Sequence, residues 1–170
     1  VPAAINVLTD ARQASPTDVR VLLQLANLEL SSQDFAGAGE ILIALQKIGT
    51  PEADKAASGV QAAILLAQNR TDESLGVLQS QIDQAAGGDN RALAVMLDTQ
   101  VRAGKTAEAR TTLDVAIAKA PNDPQLQLMS ASLYAVAGET DKAEAALRAL
   151  LATDPAAEAP VRLLYSLLTS

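Results

Sequence analysis

Carboxylates are the only plentiful candidates for general acid–base chemistry in this 170-residue chain, which contains no His and no Cys. That composition excludes Ser-His and Cys-His catalytic pairs, disulfides, and zinc sites ligated by His or Cys. Four carboxylates lie in segments with helical spacing, on faces that we expect to be solvated: Glu108, Asp114, Asp141 and Glu144. We interpret them as surface charges, and no catalytic residue is predicted.

Two glycine-containing segments and one acidic segment have residue types that suit ligand sites. Gly37-x-Gly39 lies within a helical pattern that no Lys, Ser or Thr follows, and Gly87-Gly88 follows no strand pattern. Neither therefore has the context of a nucleotide-binding loop. Asp83 and Asp89-Asn90 lack the spacing of a calcium loop. The sequence thus predicts no metal site, no cofactor and no enzyme.

Charge and composition narrow the class of partner. The formal net charge of −7 disfavours the phosphate backbone of nucleic acids and anionic membrane surfaces. The three aromatic residues, Phe35, Tyr134 and Tyr165, are too few for base stacking. No apolar run approaches the ~18 residues of a transmembrane helix, so direct membrane insertion is not expected. The lack of Cys fits a bacterial cytoplasm or periplasm.

The elements that position these residues are predicted to be helices. Ala and Leu, the strongest helix formers, dominate the apolar residues, which recur three and four positions apart. Turn residues divide the chain into ten predicted helices, near 3–14, 17–32, 34–48, 52–68, 71–86, 90–103, 106–119, 124–137, 140–152 and 157–169. The short connections predict antiparallel neighbours. The expected fold class is all-α.

One pattern, a small residue followed four positions later by Leu, occurs five times. The small residues are spaced by 34 to 36 positions: Ala4, Ala38, Ser74, Ala109 and Ala143. Five positions before the last four of these stand residues that we expect to end a helix in the left-handed conformation: Gln33, Asn69, Gly104 and Gly138. Asp34, Thr71, Thr106 and Thr140 follow and are predicted to cap the next helix. Ser15-Pro16, Thr50-Pro51, Asp123-Pro124 and Asp154-Pro155 indicate further helix starts.

This helix–turn–helix repeat resembles the tetratricopeptide repeat. The best match has small residues at the eighth and twentieth places, Ala131 and Ala143, with Tyr134 at the eleventh and Pro155 at the thirty-second. The aromatic residue of the fourth place is missing throughout, and Leu97 replaces a small residue. The resemblance implies a right-handed α-solenoid of stacked antiparallel helix pairs. Its expected divisions are a half repeat 1–16, repeats 19–52, 55–89, 90–123 and 124–157, and a half repeat 158–170.

The same resemblance implies that the first helices of the repeats line a concave groove for a peptide or partner protein. The groove candidates, carried over by position, are Arg20, Leu23, Asn27, Arg91, Asp98, Arg102, Leu128, Ser132 and Arg162, with Leu30, Gly59, Ala63, Leu66, Ala94, Val136 and Ser166 beside them. Two alternatives stay open. In the first, Leu23, Leu30 and Leu66 are core or inter-repeat packing residues instead. In the second, Asp98 and Arg102 form an ion pair on one helix face.

The function that follows is a non-catalytic scaffold for protein–protein interaction. One alternative is an architectural or oligomerisation segment of a larger bacterial envelope or export assembly protein, and the periplasm is then favoured over the cytoplasm. Another is an accessory domain of an enzyme whose catalytic part lies outside this sequence. The terminal helices are half repeats, so they are expected either to continue into a longer array or to pair between copies as a homodimer.

Overall fold

In a computed structural model of the chain, the structure describes residues 2–85 and 89–169, with side chains from residue 7 onward. These residues form ten α-helices and no strand, which confirms the predicted all-α class. The helices are α1 (Pro2–Ala14), α2 (Val19–Ser31), α3 (Phe35–Ile48), α4 (Pro51–Ala67), α5 (Thr71–Gln84), α6 (Asn90–Arg102), α7 (Thr106–Lys119), α8 (Pro124–Val136), α9 (Thr140–Thr153) and α10 (Glu158–Thr169). The predicted last residue of α5 and the Gly87-Gly88 pair lie outside the described residues.

Helix ends in the left-handed conformation are confirmed at all four predicted places. The φ angle is 62° at Gln33, 60° at Asn69, and 75° at Gly104 and Gly138. Each of these residues turns the chain so that the next backbone N–H reaches back to the end of the helix. The Glu139 N–H, for example, donates to the Tyr134 carbonyl at 2.9 Å. This hydrogen bond is the one that characterises a Schellman-type helix end.

The starts of three helices follow the predicted cap chemistry. The Asp34 carboxylate accepts from the Gly37 N–H at 2.8 Å, and the Asp123 carboxylate accepts from the Gln125 N–H at 2.8 Å. The Thr50 hydroxyl accepts from the Ala53 N–H at 3.2 Å, with Pro51 as the first helical residue. These side chains satisfy backbone donors that the first turn of a helix leaves without an intrahelical partner.

The predicted threonine caps are wrong. Thr71, Thr106 and Thr140 are the first helical residues of α5, α7 and α9, and no side-chain cap hydrogen bond forms at these three starts. The preceding residues, Arg70, Lys105 and Glu139, occupy the cap positions. The left-handed residue two places before each threonine already reverses the chain, so the helix begins at the threonine itself.

Two predicted proline-based starts also need correction. The helix expected after Ser15-Pro16 begins at Val19, because the Asp18 carboxylate accepts from the Arg20 N–H at 2.9 Å and takes the cap position. At Asp154-Pro155 the chain instead leaves α9, and α10 begins only at Glu158. Asp154 accepts from the Ala156 N–H at 3.1 Å, which stabilises a turn rather than the first turn of a helix.

The chain divides into two compact units, which we call the N-terminal unit (residues 1–87) and the C-terminal unit (residues 88–170). In the N-terminal unit each helix packs against the next one, and α2 also contacts α4. Its core contains small and medium apolar side chains: Leu22, Leu25, Ala26, Ile41, Leu45, Ala56, Ala57 and Val60. Burial of these side chains supplies the main favourable term in the folding of this unit.

The C-terminal unit has a similar plan: α8 contacts α6, α7, α9 and α10, α6 also contacts α7, and α9 also contacts α10. Ala109, Ala131 and Ala143 are fully buried. In the N-terminal unit Ser74 takes the equivalent place, and its hydroxyl donates to the Ala62 carbonyl at 3.0 Å. Small side chains at these places let paired helices approach closely. Within the described residues, no helix has both the length and the apolar character to span a bilayer.

Candidate interaction surface

The first helices of the repeats are α2 and α4 in the N-terminal unit, and α6, α8 and α10 in the C-terminal unit. Within each unit these helices contact their neighbours of the same kind directly. Every predicted groove residue lies on one of them. Each unit therefore has its own layer of first helices, and we describe the candidate surface of each unit separately.

In the N-terminal unit, α2 presents polar side chains beside partly buried apolar ones. Arg20 and Asn27 are exposed, whereas Leu23 is half-buried and packs against the core. The Arg20 Nε lies 3.7 Å from the Asp18 Oδ1. The pKa of Asp18 is lowered, chiefly by the hydrogen bond from the Arg20 backbone N–H. Leu23 thus serves packing on one side, and its other side is left at the surface.

On α4 the predicted residues are smaller. Gly59 is exposed, and Ala63 and Leu66 are half-buried, as is Leu30 on α2. The added Cβ of an alanine at Gly59 would meet no atom within 4 Å. The predicted groove residues of the N-terminal unit are therefore mainly small or apolar, with Arg20 and Asn27 as the polar ones.

In the C-terminal unit, the charged candidates lie along one face of α6. Arg91, Asp98 and Arg102 are exposed, and Ala94 lies between them. The Arg102 Nε is 2.8 Å from the Asp98 Oδ2, and the two side chains are 79% and 60% exposed, Arg102 first. The ion-pair alternative is therefore observed, and the pair remains open to solvent. Such an exposed pair contributes only ~0.2–0.5 kcal/mol to helix stability.

The remaining candidates lie on α8 and α10. Leu128 and Ser132 are half-buried, and the Ser132 hydroxyl donates to the Leu128 carbonyl at 2.9 Å. Val136 on α8 is 62% exposed, and Arg162 and Ser166 on α10 are exposed. The hydroxyl of Ser132 has its donor satisfied within its own helix, so it offers a partner only its acceptor capacity.

The four carboxylates considered for acid–base chemistry lie at the surface. Glu108, Asp114 and Asp141 are exposed. Glu144 is half-buried and accepts from Arg148, with 2.6 Å between Nη2 and Oε1. Within the described residues no three of the His, Cys, Asp and Glu side chains group in a way that would hold a metal ion. These positions agree with the surface-charge interpretation.

The structure also contains a side-chain cluster that sequence reasoning did not identify. The guanidinium carbon of Arg110 on α7 lies 4.4 Å from the centre of the Tyr134 ring on α8. The Arg110 Nη1 donates to the Glu139 Oε1 at 2.9 Å, and Lys142 on α9 bonds to the same carboxylate. The pKa of Glu139 is lowered, first by the hydrogen bond from Lys142 and also by the charge of Arg110.

A cleft of about 730 Å³ lies among α3, α4 and α5 in the N-terminal unit, and it was also missed. Its lining contains Gly39 of the Gly37-x-Gly39 segment. An alignment of the repeats on their buried small residues would have indicated the cleft. Gly39 follows the buried Ala38 in the first full repeat, at the position where Arg110 follows the buried Ala109 in the third.

The comparison with known proteins decides the family. The family model described as "Tetratricopeptide repeat" matches residues 65–133 and 100–168, which together cover more than half of the chain. The chain belongs to the tetratricopeptide repeat family. Proteins of this family generally mediate protein–protein interaction and are generally non-catalytic scaffolds. No curated protein sequence matches the chain.

Solved structures with the same fold include two tetratricopeptide repeat proteins. A protein from Parabacteroides merdae aligns over 97% of the chain with a TM-score of 0.67 and 15% identity, and the chain spans 63% of that protein's length. A thermophilic protein from Thermus thermophilus aligns over 99% of the chain and 91% of its own, with a TM-score of 0.66 and 20% identity. The structure of Naa15/Naa10 bound to HypK-THB aligns over 98% of the chain and 26% of its own, with a TM-score of 0.54 and 18% identity.

Proposed function

We propose that this tetratricopeptide repeat chain is a non-catalytic scaffold that binds a peptide or partner protein through its first-helix surfaces. The observation that carries the proposal is the exposed face of α6. It places Arg91, Asp98 and Arg102 in one row with the small Ala94 between them. A row of charged groups beside a small residue gives a partner both hydrogen-bonding groups and room for close approach.

The energetics of this row suit recognition better than stability. The Asp98–Arg102 pair is exposed, so a partner can replace one half of it at little cost to the fold. An Arg side chain can bind a carboxylate through two parallel hydrogen bonds, which gives geometric specificity. A partner segment that carries a carboxylate is therefore the expected match for Arg91 or Arg102.

The test replaces the row and compares it with a matched set of charges on the second helices of the same unit. The R91A/D98A/R102A variant is paired with the control D114A/K119A/R148A, which also removes two positive charges and one negative charge, from exposed sites on α7 and α9. Proteins retained by the immobilised chain are identified, purified and titrated against both variants. Loss of binding by the first variant alone supports the first-helix surface, and equal binding by both contradicts it.

A second candidate function is self-association, as part of an architectural role. Val161, Tyr165 and Leu168 on α10 are 46%, 71% and 60% exposed and lie on one helix face. Tyr165 occupies the place at which Ala131 of the preceding repeat is covered completely. We propose that this face pairs with a second copy. Light scattering that shows a dimer for the chain and a monomer for the Y165S/L168S variant supports this role, and a monomer for both contradicts it.

Two wider contexts are proposals of the same kind. One places the chain in a bacterial envelope or export assembly, and the other makes it the accessory part of an enzyme. The fold is shared with longer proteins, since the chain spans 63% of the length of the Parabacteroides protein. The compartment of the parent protein, measured by fractionation, tests the first context, and the domains in its full sequence test the second.

A further inference from the structure

The repeat register allows two places in the molecule to be compared. Ala38 on α3 and Ala109 on α7 are both fully buried and hold the same place in their repeats. The next residue along the chain is Gly39 in one case and Arg110 in the other. Gly39 and Arg110 therefore lie at equivalent helix positions, one in each unit, and face equivalent parts of the next repeat.

In the C-terminal unit, the long side chain of Arg110 occupies this place. It lies over the Tyr134 ring and bonds to Glu139, next to Lys142. The cluster thus joins α7, α8 and the start of α9 with groups from the chain itself. A guanidinium over an aromatic face is a favourable contact, and here a carboxylate also neutralises its charge.

In the N-terminal unit, the equivalent place is open. Gly39 stands where Arg110 would be, and Leu65 stands where Tyr134 would be. A Cβ added at Gly39 would meet no atom within 4 Å, and the same holds at Gly76 on α5. The two glycines, on α3 and α5, both line the cleft of about 730 Å³, whose volume is in the range of ligand sites.

We propose that this cleft binds an extended segment of a partner polypeptide, which inserts one apolar side chain at the place that Arg110 fills in the C-terminal unit. Like the function proposed above, this site requires that the chain binds polypeptides, but it uses a different surface. An extended segment is favoured because the two glycines leave space beside α3 and α5, where a backbone can approach closely.

The floor of the cleft determines the type of anchor. Leu42 on α3, Ile64 and Leu65 on α4, and Val77 on α5 contribute apolar surface. Leu65 is 7% exposed, and the other three are half-buried. An apolar side chain that covers this floor would remove from water the surface that the protein leaves uncovered. The lining also contains the ring of Phe35, and its carboxylate, Glu73, is already bonded to Arg70.

The rim of the cleft determines what flanks the anchor. Its polar side chains include Gln61, Gln68 and Gln84. The Gln68 Oε1 already accepts from Arg70 at 3.2 Å and the Gln84 Nε2 donates to the Ser80 hydroxyl at 3.0 Å, and each amide keeps further donor and acceptor capacity. A backbone in an extended conformation presents both kinds of group and needs such partners when it is buried. The amides of this rim therefore suit the main chain of a bound segment.

Charge complementarity favours an uncharged segment at this place. The charged residues of the lining, Arg70 and Glu73, bond to each other through two contacts of 2.7 Å and 2.6 Å. Their pairing leaves the rim without net charge. A basic anchor would have to compete with Arg70 for the Glu73 carboxylate, and an acidic anchor would have to compete with Glu73 for Arg70.

The cleft is separate from the predicted groove. On α4 the groove positions are Gly59, Ala63 and Leu66, and the cleft positions include Gln61, Leu65 and Gln68. With 3.6 residues per helical turn, these two sets lie on roughly opposite sides of α4. A substitution in one set can therefore be made without changing the other surface.

The test fills the cleft with a side chain introduced by substitution. Gly39→Leu places an apolar group in the open space and replaces Gly by a better helix former, so the variant is expected to fold. The matched control is Gly59→Leu, the same replacement on the groove side of α4, where a Cβ also meets no atom within 4 Å. Far-ultraviolet circular dichroism confirms that both variants keep their helices.

The probe is a library of random 12-residue peptides displayed on phage, selected on the intact chain. Selected peptides are synthesised and titrated by fluorescence anisotropy against the unchanged chain and both variants. We expect the selected peptides to carry one apolar residue among uncharged ones. Their dissociation constant should rise by about tenfold or more for Gly39→Leu and by less than about twofold for Gly59→Leu.

Three results would overturn the cleft site. In the first, the selection yields no peptide that binds more tightly than about 100 μM. In the second, the selected peptides are anchored by Arg, Lys, Asp or Glu. In the third, Gly39→Leu leaves the affinities unchanged. Peptides lost only in Gly59→Leu or in R91A/D98A/R102A would support the function proposed for the first-helix surface while they overturn the cleft. Failure of one proposal is thus distinguished from failure of the other.

Discussion

The guanidinium of Arg110 lies 4.4 Å from the centre of the Tyr134 ring and bonds at the same time to Glu139. Arg110 belongs to the second helix of one repeat, and Tyr134 and Glu139 belong to the next repeat. The contact therefore joins neighbouring repeats within the C-terminal unit. In a stack whose members touch mainly their neighbours, such contacts determine how strongly adjacent repeats fold together.

Separation of Arg110 from Tyr134 is expected to weaken this junction. We predict that Tyr134→Leu and Arg110→Met each destabilise the chain, and that a double-mutant cycle gives a coupling of about 0.5–1 kcal/mol, the size of a cation–π contact at a partly exposed site. Urea denaturation supplies the free energies of unfolding. Tyr134→Phe is the control, because it keeps the ring. A coupling of zero would show that the contact adds nothing beyond packing.

Acid is expected to weaken the same junction through Glu139. Its pKa in the folded state is lowered below the ordinary value of 4.5 by the hydrogen bond from Lys142 and the charge of Arg110. A lowered folded pKa gives stability that is present above the unfolded pKa and is lost as the pH falls through the folded pKa. We predict that the stability difference between the chain and Glu139→Gln is largest near neutral pH and shrinks below about pH 4.5. Urea midpoints that differ equally at all pH values would contradict this.

The fully buried alanines are expected to tolerate no enlargement. We predict that Ala143→Leu costs about 1–3 kcal/mol, because the leucine forces apart helices that cross at this point. Ala145, two residues along the same helix, is exposed, so Ala145→Leu is the matched control and should be nearly neutral. Thermal and urea unfolding of the two variants measure the difference. Equal stability of the two variants would mean that the crossing lies elsewhere.

Gly59 in the interior of α4 is expected to be a site of easy stabilisation. A Cβ there meets no atom within 4 Å, so Gly59→Ala should add about 0.5–1 kcal/mol through helix propensity alone. Gly37 is the contrasting site, because a Cβ there would lie 3.1 Å from the Asp34 carboxylate that caps α3. Gly37→Ala should gain less or lose stability. A larger gain at Gly37 than at Gly59 would contradict the packing described for these two glycines.

The sequence was sufficient to predict most of the fold, because its signals are local and repeated. Gln33 and Asn69 were identified as helix ends by their phase with Gly104 and Gly138, although neither is a glycine. The predicted caps at Thr71, Thr106 and Thr140 lie one residue too late, because the turn before each threonine determines where the helix starts. Such an offset depends on backbone dihedrals that a pattern of residue types does not specify.

The candidate surface was less predictable, for a physical reason. Position in the repeat placed Arg91, Asp98 and Arg102 on one helix face, but only the structure shows that the Asp98–Arg102 pair forms and stays exposed. The cleft beside Gly39 exists because glycine has no side chain to fill the space beside α3. An absent side chain leaves no pattern of its own, and it becomes visible only when neighbouring helices are in place or when the repeats are aligned on Ala38 and Ala109.

Two adjacent residues have separate roles at this place in the repeat. They are the fully buried alanine and the residue after it, Ala38 with Gly39 and Ala109 with Arg110. The alanine is constrained by the crossing of two helices, whereas a Cβ added at its neighbour Gly39 would meet no atom within 4 Å. A substitution at the neighbouring position can therefore open or close a recess while the buried alanine stays in place, although a side chain such as Arg110 also contributes contacts with the next repeat. Recognition in such an array can evolve one repeat at a time, and a designer can move a recess along the chain by choosing which repeat carries the glycine.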